Sequence, residues 1–388
     1  MRAVAIVGAA ETKFGKLEQS YRELAAAAGR AALADAGARP EDIQALFLGS
    51  YSPGTFIHQE HVAPLVAAEL GLPHVPATRV ENACASGGSA FVTACLAVAA
   101  GLYDVVLVIG AEKMTATSTE ETTQILAEAA DWERESAIGL TFPGVFALMA
   151  HAYFHRYGYT RDILDAVAIK NHQNALANPY AQFHKAITRD DIARSPLVAD
   201  PLTLYDCSPI SDGAAALVLV AADAAHHFAK PPVRVLGFGQ ASDSLALFER
   251  AELTTLPAAR EAANRAYRMA GVSPQDIDVA EVHDCFTIAE IIATEDLGFF
   301  APGEGGAAAL AGATSRDGQI PINPSGGLKA KGHPVGATGV GQLAELVFQL
   351  RGDAGDRQVE GAEVGLAHNI GGSGATCVVT ILAKGDGR

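Results

Sequence analysis

One pattern of residues occurs twice in this chain, and it constrains the possible folds more than any other feature. In each copy an alanine-rich helix ends at a glycine, a short turn containing proline follows, and an apolar segment typical of a strand comes next. The first copy covers residues 36–43 and the second residues 270–277, with the same spacing. Because half of the chain separates the copies, the repeat indicates a duplicated domain rather than a solenoid.

Strands and helices alternate in both halves of the chain, which predicts an α/β fold with both faces of its sheets covered. The 388 residues are too many for one ordinary hydrophobic core, which also favours two halves. We expect residues 1–113 together with 201–228 to form the first half and residues 229–388 to form the second. Residues 114–200 break the pattern, and we expect this insertion to form a loop domain that shapes a substrate site.

The composition excludes several classes of function. The net charge of −16, without a cluster of lysine and arginine, argues against a nucleic-acid-binding protein. The five cysteines are odd in number, widely spaced and free of any C-x-x-C pair, which argues against a disulfide framework or a zinc site. No apolar run approaches the length of a membrane span, and the first residues do not have the pattern of a signal peptide. The sequence therefore predicts a cytoplasmic protein that binds neither nucleic acid nor membranes.

Cys84 lies in the run NACASGG, residues 82–88, directly before an apolar stretch that predicts a helix over residues 89–101. Free N–H groups and the positive end of the helix dipole would favour the thiolate of a cysteine in this place. Gly87 and Gly88 would allow backbone or substrate to approach closely. The alternative interpretation is a free cysteine that packs in the core as a small apolar residue.

Two further segments carry candidate functional groups, and both fall at strand ends in the second half. The segment HDCF, residues 283–286, directly follows a predicted strand and contains His283 and Cys285. A glycine-rich loop over residues 323–339 contains His333 and precedes a predicted helix. A glycine-dense loop loses much backbone freedom when it becomes ordered on folding. Such loops usually occur where a substrate or another backbone segment must approach closely. The alternatives are a loop histidine bonded to its own backbone and a buried thiol at the end of a strand.

Two cysteines and two histidines at the ends of strands are typical of nucleophilic acyl chemistry. One thiolate would attack a carbonyl group, a histidine would take the thiol proton, and the second thiol would move a proton at the other reactant. Metal ligation is the rival use of these residue types, but neither an H-E-x-x-H motif nor a paired cysteine spacing is present. The chain likewise lacks the third glycine of a dinucleotide-binding motif and the Gly-Lys-Ser/Thr of a phosphate-binding loop.

The chain resembles the thiolases. The resemblance rests on the NACASGG run around Cys84, the GHPVGATG run that begins at Gly332, and the duplicated α/β halves, and it extends over nearly the whole chain. It implies the thiolase fold, a five-layered α/β/α/β/α arrangement of the two halves with an inserted loop domain. It also implies an acyltransferase whose active site lies where the two halves meet.

Two segments depart from the pattern of the common degradative and biosynthetic thiolases. Residues 283–286 read HDCF where those enzymes have Asn-Glu-Ala-Phe, and residues 369–372 read NIGG where they have Cys-x-Gly. In both respects the chain is similar to the branch of sterol-carrier-protein-type thiolases and archaeal-type acetyl-CoA acetyltransferases. This likeness implies that Cys285 does the work of the missing late cysteine.

The resemblance also implies a role for each candidate residue. Cys84 would be the nucleophile that carries the acyl group, and His333 would take its proton and help to bind the thioester oxygen of the substrate. Cys285 would move the proton between solvent, the CoA thiol and the enolate carbon. His283 would hold a water or donate directly to the same thioester oxygen. The backbone N–H groups of Cys84 and Gly371 would form a second oxyanion hole, because a Claisen condensation must stabilise an enolate and a tetrahedral oxyanion separately.

The expected reaction is the synthesis or cleavage of a 3-oxoacyl-CoA, with acetoacetyl-CoA and acetyl-CoA as the leading substrates. We expect no metal and no tightly bound cofactor, because CoA and acyl-CoA take part as substrates. The resemblance implies a homodimer or homotetramer, and some relatives work with a small OB-fold, zinc-containing partner protein. The alternative functions are a degradative thiolase for a bulky or aromatic 3-oxoacyl-CoA that needs such a partner, an aldolase related to the thiolases, and a non-catalytic scaffold subunit.

The other lysines and cysteines near these motifs receive simpler interpretations. Lys329 and Lys331 lie near His333 in the sequence and could contact the CoA phosphates, although exposed and solvated lysines are the favoured interpretation. The remaining cysteines are interpreted as core residues: Cys95, Cys207 and Cys377.

Overall fold

The computed structural model describes residues 2–72 and 74–385. The strands, numbered from β1 to β11 in chain order, are Val4–Glu11, Ala45–Gly49, Ala77–Val80, Val105–Lys113, Leu197–Ala199, Leu202–Thr203, Asp212–Ala221, Val233–Ser242, Val279–Glu281, Val364–Gly371 and Thr376–Lys384. The helices, numbered from α1 to α13, are Tyr21–Ala36, Pro53–Ile57, Val62–Glu69, Ser86–Ala99, Thr119–Ala127, Phe142–Tyr157, Asp162–Ala175, Arg189–Arg194, Pro257–Ala270, Thr287–Asp296, Gly305–Leu310, Gly327–Lys331 and Thr338–Arg351. Among the described residues, no helix has both the length and the apolar character needed to cross a membrane.

Nine strands form one sheet in the order β3-β2-β4-β7-β1-β8-β11-β10-β9. The first half contributes β3-β2-β4-β7-β1, and the second half repeats the inner part of this order as β9-β10-β11-β8. In both halves a parallel pair of strands, β2 with β4 and β9 with β10, is followed by an antiparallel neighbour. The half-sheets meet where Ala5 and Ile6 of β1 pair with Arg234 and Val233 of β8. The duplication that the sequence predicts is therefore confirmed.

Side chains that alternate along the strands separate the three largest hydrophobic cores of the described residues. In β4, Leu107 and Ile109 face the core under α1 and α3, whereas Val106 and Val108 face the core around α4 and α13. A third core lies between the second half-sheet and the helices α9 and α10. Two outer helix layers, two half-sheets and the central pair α4 and α13 thus form five layers. The predicted α/β/α/β/α arrangement is confirmed.

Both copies of the sequence repeat end a helix in the same way. Gly37 ends α1 with a φ of 67° and Gly271 ends α9 with a φ of 70°, in the left-handed region that other residues seldom adopt. A single turn of 3-10 helix follows each glycine, at Pro40–Asp42 and at Pro274–Asp276, before the next strand begins. The two glycines therefore direct the chain from an outer helix back into the sheet.

The insertion, residues 114–200, contains the helices α5 to α8 and packs on the second half of the protein although it interrupts the first. Asn171 on α7 donates from Nδ2 to Asp284 Oδ2 at 2.7 Å and to Glu290 Oε2 at 2.8 Å. Lys170 Nζ lies 2.9 Å from Glu290 Oε1. The insertion thus contacts the HDCF segment directly.

Candidate active site

Cys84 lies in the turn between β3 and α4. The preceding residue, Ala83, has a φ of 50°, a left-handed conformation that is uncommon for residues other than glycine. The Ser86 hydroxyl accepts from the N–H of Asn82 at 2.9 Å and donates to the carbonyl of Ala83 at 2.6 Å, which closes the turn. Helix α4 begins at Ser86 rather than at residue 89 as predicted, because the closed turn already directs the chain into helical geometry.

Gly87 brings the two halves of the protein into contact beside this turn. A Cβ atom at Gly87 would lie 2.8 Å from the carbonyl oxygen of Gly336, which belongs to the GHPVGATG run of the second half. The N–H of Gly336 donates to Glu112 Oε2 of the first half at 3.1 Å. These glycines therefore permit one backbone to pack directly against another.

His333 lies in the loop between α12 and α13 and is held on two sides. Its backbone N–H donates to Ser211 Oγ at 3.0 Å, and its Nδ1 lies 2.7 Å from Thr338 Oγ1. The Thr338 hydroxyl in turn donates to the carbonyl of Pro334 at 3.2 Å. Nδ1 is therefore occupied, and Nε2 is the nitrogen left for a reacting group. Burial lowers the pKa of His333 to about 3, so its imidazole is neutral at physiological pH.

The HDCF segment follows β9, and its aspartate, Asp284, is an anchor. Asp284 accepts from the backbone N–H of Leu328 at 2.7 Å and from that of Lys329 at 3.2 Å, both in the first turn of α12. Helix α12 leads directly into the loop of His333. Asp284 thus fixes the HDCF segment relative to the GHPVGATG run.

The structure brings the four predicted side chains to one place between the halves. One donor atom from each of Cys84, His283 and His333 lies within 4.8 Å of the other two. The rings of His283 and His333 meet edge to face, with centroids 4.9 Å apart. Cys285 joins Cys84 and His333 in lining one cavity of about 440 Å³. A thiol and two imidazoles are also a donor set that zinc accepts, so Cys84, His283 and His333 could hold a metal ion.

The rest of the cavity wall is mostly apolar and comes from both halves and from the insertion. Its large apolar side chains are Leu126, Phe142, Phe146, Val198, Leu204, Ile210, Phe286 and Val335. Cys207 also lines the cavity and is only half-buried, so its interpretation as a core cysteine was wrong. The feature of the sequence that points to the cavity is the position of Cys207 shortly after the insertion, where the chain returns to the first half. Cys95 and Cys377 are buried in the core as predicted.

The Cys84 thiol is less acidic than the sequence suggests. Burial raises its pKa to about 12, although the backbone N–H groups of Gly372 and of Cys84 itself favour the thiolate and oppose the shift. The expectation that a helix N-terminus would stabilise the thiolate is therefore wrong for the resting site. Cys84 lies before the first helical residue, Ser86, and the loss of water on burial is the largest cause of the shift in its pKa. Thiol and imidazole are both neutral at rest.

We expect the alkylation of Cys84 by iodoacetamide to accelerate with pH and to reach no plateau below about pH 9. A raised pKa keeps the thiol protonated at neutral pH, so the thiolate fraction grows about tenfold for each pH unit. The measurement is the rate of modification of the Cys84 peptide, followed by mass spectrometry across this pH range. A plateau near neutral pH would show a preformed thiolate–imidazolium pair and would contradict the neutral resting site.

Gly371 ends β10 beside the turn of Cys84. A Cβ atom at Gly371 would lie 2.4 Å from the carbonyl oxygen of Asn82, so the two segments touch. The next residue, Gly372, lines the same cavity as Cys84, and its N–H acts to lower the pKa of the Cys84 thiol. The sequence predicts a functional role for Gly371 but not for Gly372. The second glycine of the NIGG run is the feature of the sequence that points to Gly372.

Lys329 and Lys331 are buried, with 2% and 4% of their surfaces exposed, so the interpretation as solvated lysines was wrong. Lys331 Nζ lies 2.8 Å from Glu11 Oε1, a contact that joins α12 to β1. Removing one partner of such a buried pair leaves an uncompensated charge inside the protein. Both lysines thus lie in the protein interior, where they would not contact CoA phosphate groups that remain in solvent.

Comparisons with known proteins extend over nearly the whole chain. The family profile "Thiolase, N-terminal domain" matches residues 4–223, and the profile "Thiolase C-terminal domain-like" matches residues 239–384. The "Acetyl-CoA acetyltransferase" of Methanothermobacter thermautotrophicus is 50% identical over 99% of this chain and 100% of its own length. "Sterol carrier protein 2" of Bos taurus is 37% identical over 98% of this chain and 72% of its own length. The solved structure "Ltp2-ChsH2(DUF35) aldolase" matches with a TM-score of 0.87 and 29% identity, over 98% of each chain.

The two profiles together include both halves of the fold and the segments that carry Cys84, Cys285 and His333. The match to the Methanothermobacter protein extends over 385 residues, far beyond the NACASGG and GHPVGATG runs. The chain belongs to the thiolase family.

Proposed function

We propose that the protein is an acyl-CoA C-acyltransferase that makes or cleaves a 3-oxoacyl-CoA, with acetyl-CoA and acetoacetyl-CoA as its main substrates. The observation that carries this proposal is the meeting of Cys84, Cys285 and His333 on one cavity of about 440 Å³. A Claisen condensation needs a nucleophile that carries an acyl group and a separate group that removes a proton from carbon. Two cysteines on one cavity supply both. The relative at 50% identity is named an acetyl-CoA acetyltransferase, which supports acetyl-CoA as a substrate.

The reaction begins on Cys84. The Cys84 thiol gives its proton to Nε2 of His333 while the sulfur attacks the carbonyl carbon of acetyl-CoA. The backbone N–H groups of Cys84 and Gly371 donate to the oxyanion that forms. The carbon–sulfur bond to CoA then breaks, and the CoA thiolate takes the proton of Cys285 and leaves as a thiol. The acyl group remains on Cys84, beside a Cys285 thiolate and a His333 imidazolium.

The second acetyl-CoA reacts as a carbon nucleophile. The Cys285 thiolate removes a proton from its α-carbon, and the enolate oxygen accepts hydrogen bonds from His283 and His333. The enolate carbon attacks the acyl carbonyl, the bond to Cys84 breaks, and the 3-oxoacyl-CoA leaves. His333 returns its proton to the Cys84 sulfur, which restores the neutral resting site. Thiolysis is the same sequence in reverse.

We also propose that residues 114–200 form the loop domain that selects the acyl group. Helix α6 of this segment supplies Phe142 and Phe146 to the cavity wall. Phe146 stacks on Phe286 of the HDCF segment, with ring centroids 4.6 Å apart. The size of the space beside Cys84 is therefore set in part by the insertion.

A homodimer or homotetramer is the proposed assembly, and a free sheet edge supports it. Strand β3 lies at one end of the nine-stranded sheet, and its residues are exposed or half-buried. An edge strand of this kind can pair with a strand of another chain. CoA and acyl-CoA act as substrates, and no tightly bound cofactor takes part in the proposed reaction.

The match to an aldolase complex favours a second candidate function. The matching structure is named for a complex with a DUF35 protein, and its likeness to this chain covers 98% of both. The second candidate is a degradative thiolase for a bulky or aromatic 3-oxoacyl-CoA that works with a small OB-fold, zinc-containing partner. The apolar cavity wall is compatible with such a group. Cys84 on this cavity argues against an aldolase or a scaffold, since neither needs an acyl-carrying nucleophile.

Thiolysis of a panel of 3-oxoacyl-CoAs by free CoA tests these functions. The panel runs from acetoacetyl-CoA through longer chains to aryl-substituted ones, each with and without a co-expressed DUF35 protein. We expect cleavage of acetoacetyl-CoA by the chain alone. Cleavage of bulky substrates only, or only with the partner, would favour the second candidate, and no cleavage of any substrate would contradict both.

A further inference from the structure

We propose that Asn369 is a positioning residue that keeps the ring proton of His283 on Nε2, so that His283 donates directly to the enolate oxygen. This inference rests on the proposed function and assigns a task to a residue outside the four predicted side chains. Asn369 opens the NIGG run on β10, and His283 opens the HDCF segment that follows the neighbouring strand β9. The two departures from the common thiolase pattern therefore act as one unit.

The orientation of the Asn369 amide follows from two backbone groups whose roles are fixed. The N–H of Gly88 donates to Oδ1 at 3.2 Å, and the carbonyl of Cys84 accepts from Nδ2 at 2.9 Å. A backbone N–H can only donate and a backbone carbonyl can only accept, so the two ends of the amide cannot be exchanged. The oxygen is also tightly enclosed, because a Cβ atom at Gly88 or Gly339 would lie 2.9 Å or 2.2 Å from it.

The same amide nitrogen determines the tautomer of His283. Nδ2 of Asn369 lies 3.2 Å from Nδ1 of His283. Nδ2 carries two hydrogens, one for the carbonyl of Cys84 and one for the ring of His283, and it has no lone pair to offer. Nδ1 must therefore accept, which leaves the ring proton of a neutral His283 on Nε2.

Nε2 of His283 is buried and has no hydrogen-bond partner among residues 2–72 and 74–385. A buried N–H without a partner is unfavourable, and such groups are retained where a ligand completes them. The neighbouring His333 gains a proton on its own Nε2 during acylation, so two N–H donors become available to one substrate oxygen. In this tautomer Nε2 offers no lone pair, which weakens the alternative use of His283 as a metal ligand.

Two reactions of the acetyl-enzyme distinguish positioning of His283 from general support of the Cys84 turn. Exchange of labelled CoA into acetyl-CoA needs only the acylation of Cys84, whereas condensation of two acetyl-CoA molecules also needs the enolate. We expect Asn369→Ala to slow condensation by about 10-fold to 100-fold more than it slows exchange. In a His283→Asn background the same substitution should add no further selective loss. Equal slowing of both reactions by Asn369→Ala would overturn the proposal.

Asn82→Ala is the matched control for loosening of the turn. The Asn82 amide donates to Ser89 Oγ at 2.9 Å within the same segment, whereas the Asn369 amide donates to His283. We expect Asn82→Ala to change condensation and exchange by the same factor. A selective loss of condensation in this variant would show that the turn alone controls the enolate step, and would count against a special role of Asn369.

Nuclear magnetic resonance of protein with isotope-labelled histidine reads the tautomer without any turnover. The ring signals of His283, assigned by their loss in His283→Asn, should show the proton on Nε2. Asn369→Asp replaces the donor by an acceptor and should move the proton to Nδ1. If the ring proton of His283 in the wild-type protein lies on Nδ1, the proposal is overturned, even when the enzyme is fully active. A proton on Nε2 in a protein without acyl exchange would support the tautomer and reject the proposed function.

Discussion

Replacement of Cys84 by alanine is expected to lower the rate of acetoacetyl-CoA thiolysis by about 10⁴-fold or more. Without the sulfur no acyl-enzyme forms. The transfer can then no longer proceed in two easier steps, one that acylates the enzyme and one that deacylates it. The residue lies in a turn closed by Ser86 and faces a cavity, so the loss of one sulfur atom leaves the turn itself intact. The measurement is the initial rate of thiolysis with purified wild-type and variant proteins.

Cys95→Ala is the matched control for this substitution. Cys95 is fully buried in α4, the helix that Cys84 precedes, and contacts the central core. We expect Cys95→Ala to retain wild-type thiolysis, because the proposed chemistry assigns no step to this sulfur. Substantial thiolysis by Cys84→Ala would show that Cys84 is not the acyl carrier. Loss of thiolysis in a folded Cys95→Ala protein would show that the loss in Cys84→Ala is not specific to the Cys84 sulfur.

Replacement of Cys285 by alanine is expected to lower condensation and thiolysis by about 10³-fold, within the range for loss of a general acid–base group. In the proposed mechanism Cys285 removes the α-proton of the second acetyl-CoA, and burial raises the pKa of its thiol well above the ordinary value. It becomes a base only when the leaving CoA thiolate takes its proton. We therefore expect the variant to acquire an acyl group on Cys84 slowly and to form almost no enolate.

Exchange of the α-hydrogens of acetyl-CoA with deuterated water isolates this step. We expect wild type to exchange them and Cys285→Ala to lose this exchange. Cys207→Ala is an informative companion, since Cys207 lines the same cavity and has no assigned step. Retention of α-exchange in Cys285→Ala together with its loss in Cys207→Ala would move the acid–base role from Cys285 to Cys207.

The parts of this fold that the sequence predicts are those that local residues determine. Gly37 and Gly271 adopt the left-handed conformation that ends a helix, and this requirement is visible in the sequence as a repeated glycine. The glycines beside Cys84 and His333 likewise mark close packing of backbone, which their composition alone indicates. The duplicated halves and the approximate place of the site follow from such local features.

Other parts depend on contacts between distant residues and could not be predicted. The pKa of Cys84 depends on how much water the opposite half excludes, and the helix signal before it points the other way. The burial of Lys331 depends on Glu11, 320 positions away in the chain. The role proposed for Asn369 depends on Gly88, in the first turn of α4, and on His283, which follows β9 in the other half of the protein. The local pattern of residues contains no information on these contacts between distant parts of the chain.

Detection of the acyl-enzyme itself is the most direct test of the proposed role of Cys84. The protein is incubated with acetyl-CoA, the reaction is stopped with acid, and the cysteine-containing peptides are analysed by mass spectrometry. We expect one acetyl group on the peptide of Cys84, its removal by added CoA, and its absence in Cys84→Ala. An acetyl group on another cysteine, or none in a folded protein that retains its cavity, would contradict the proposed mechanism.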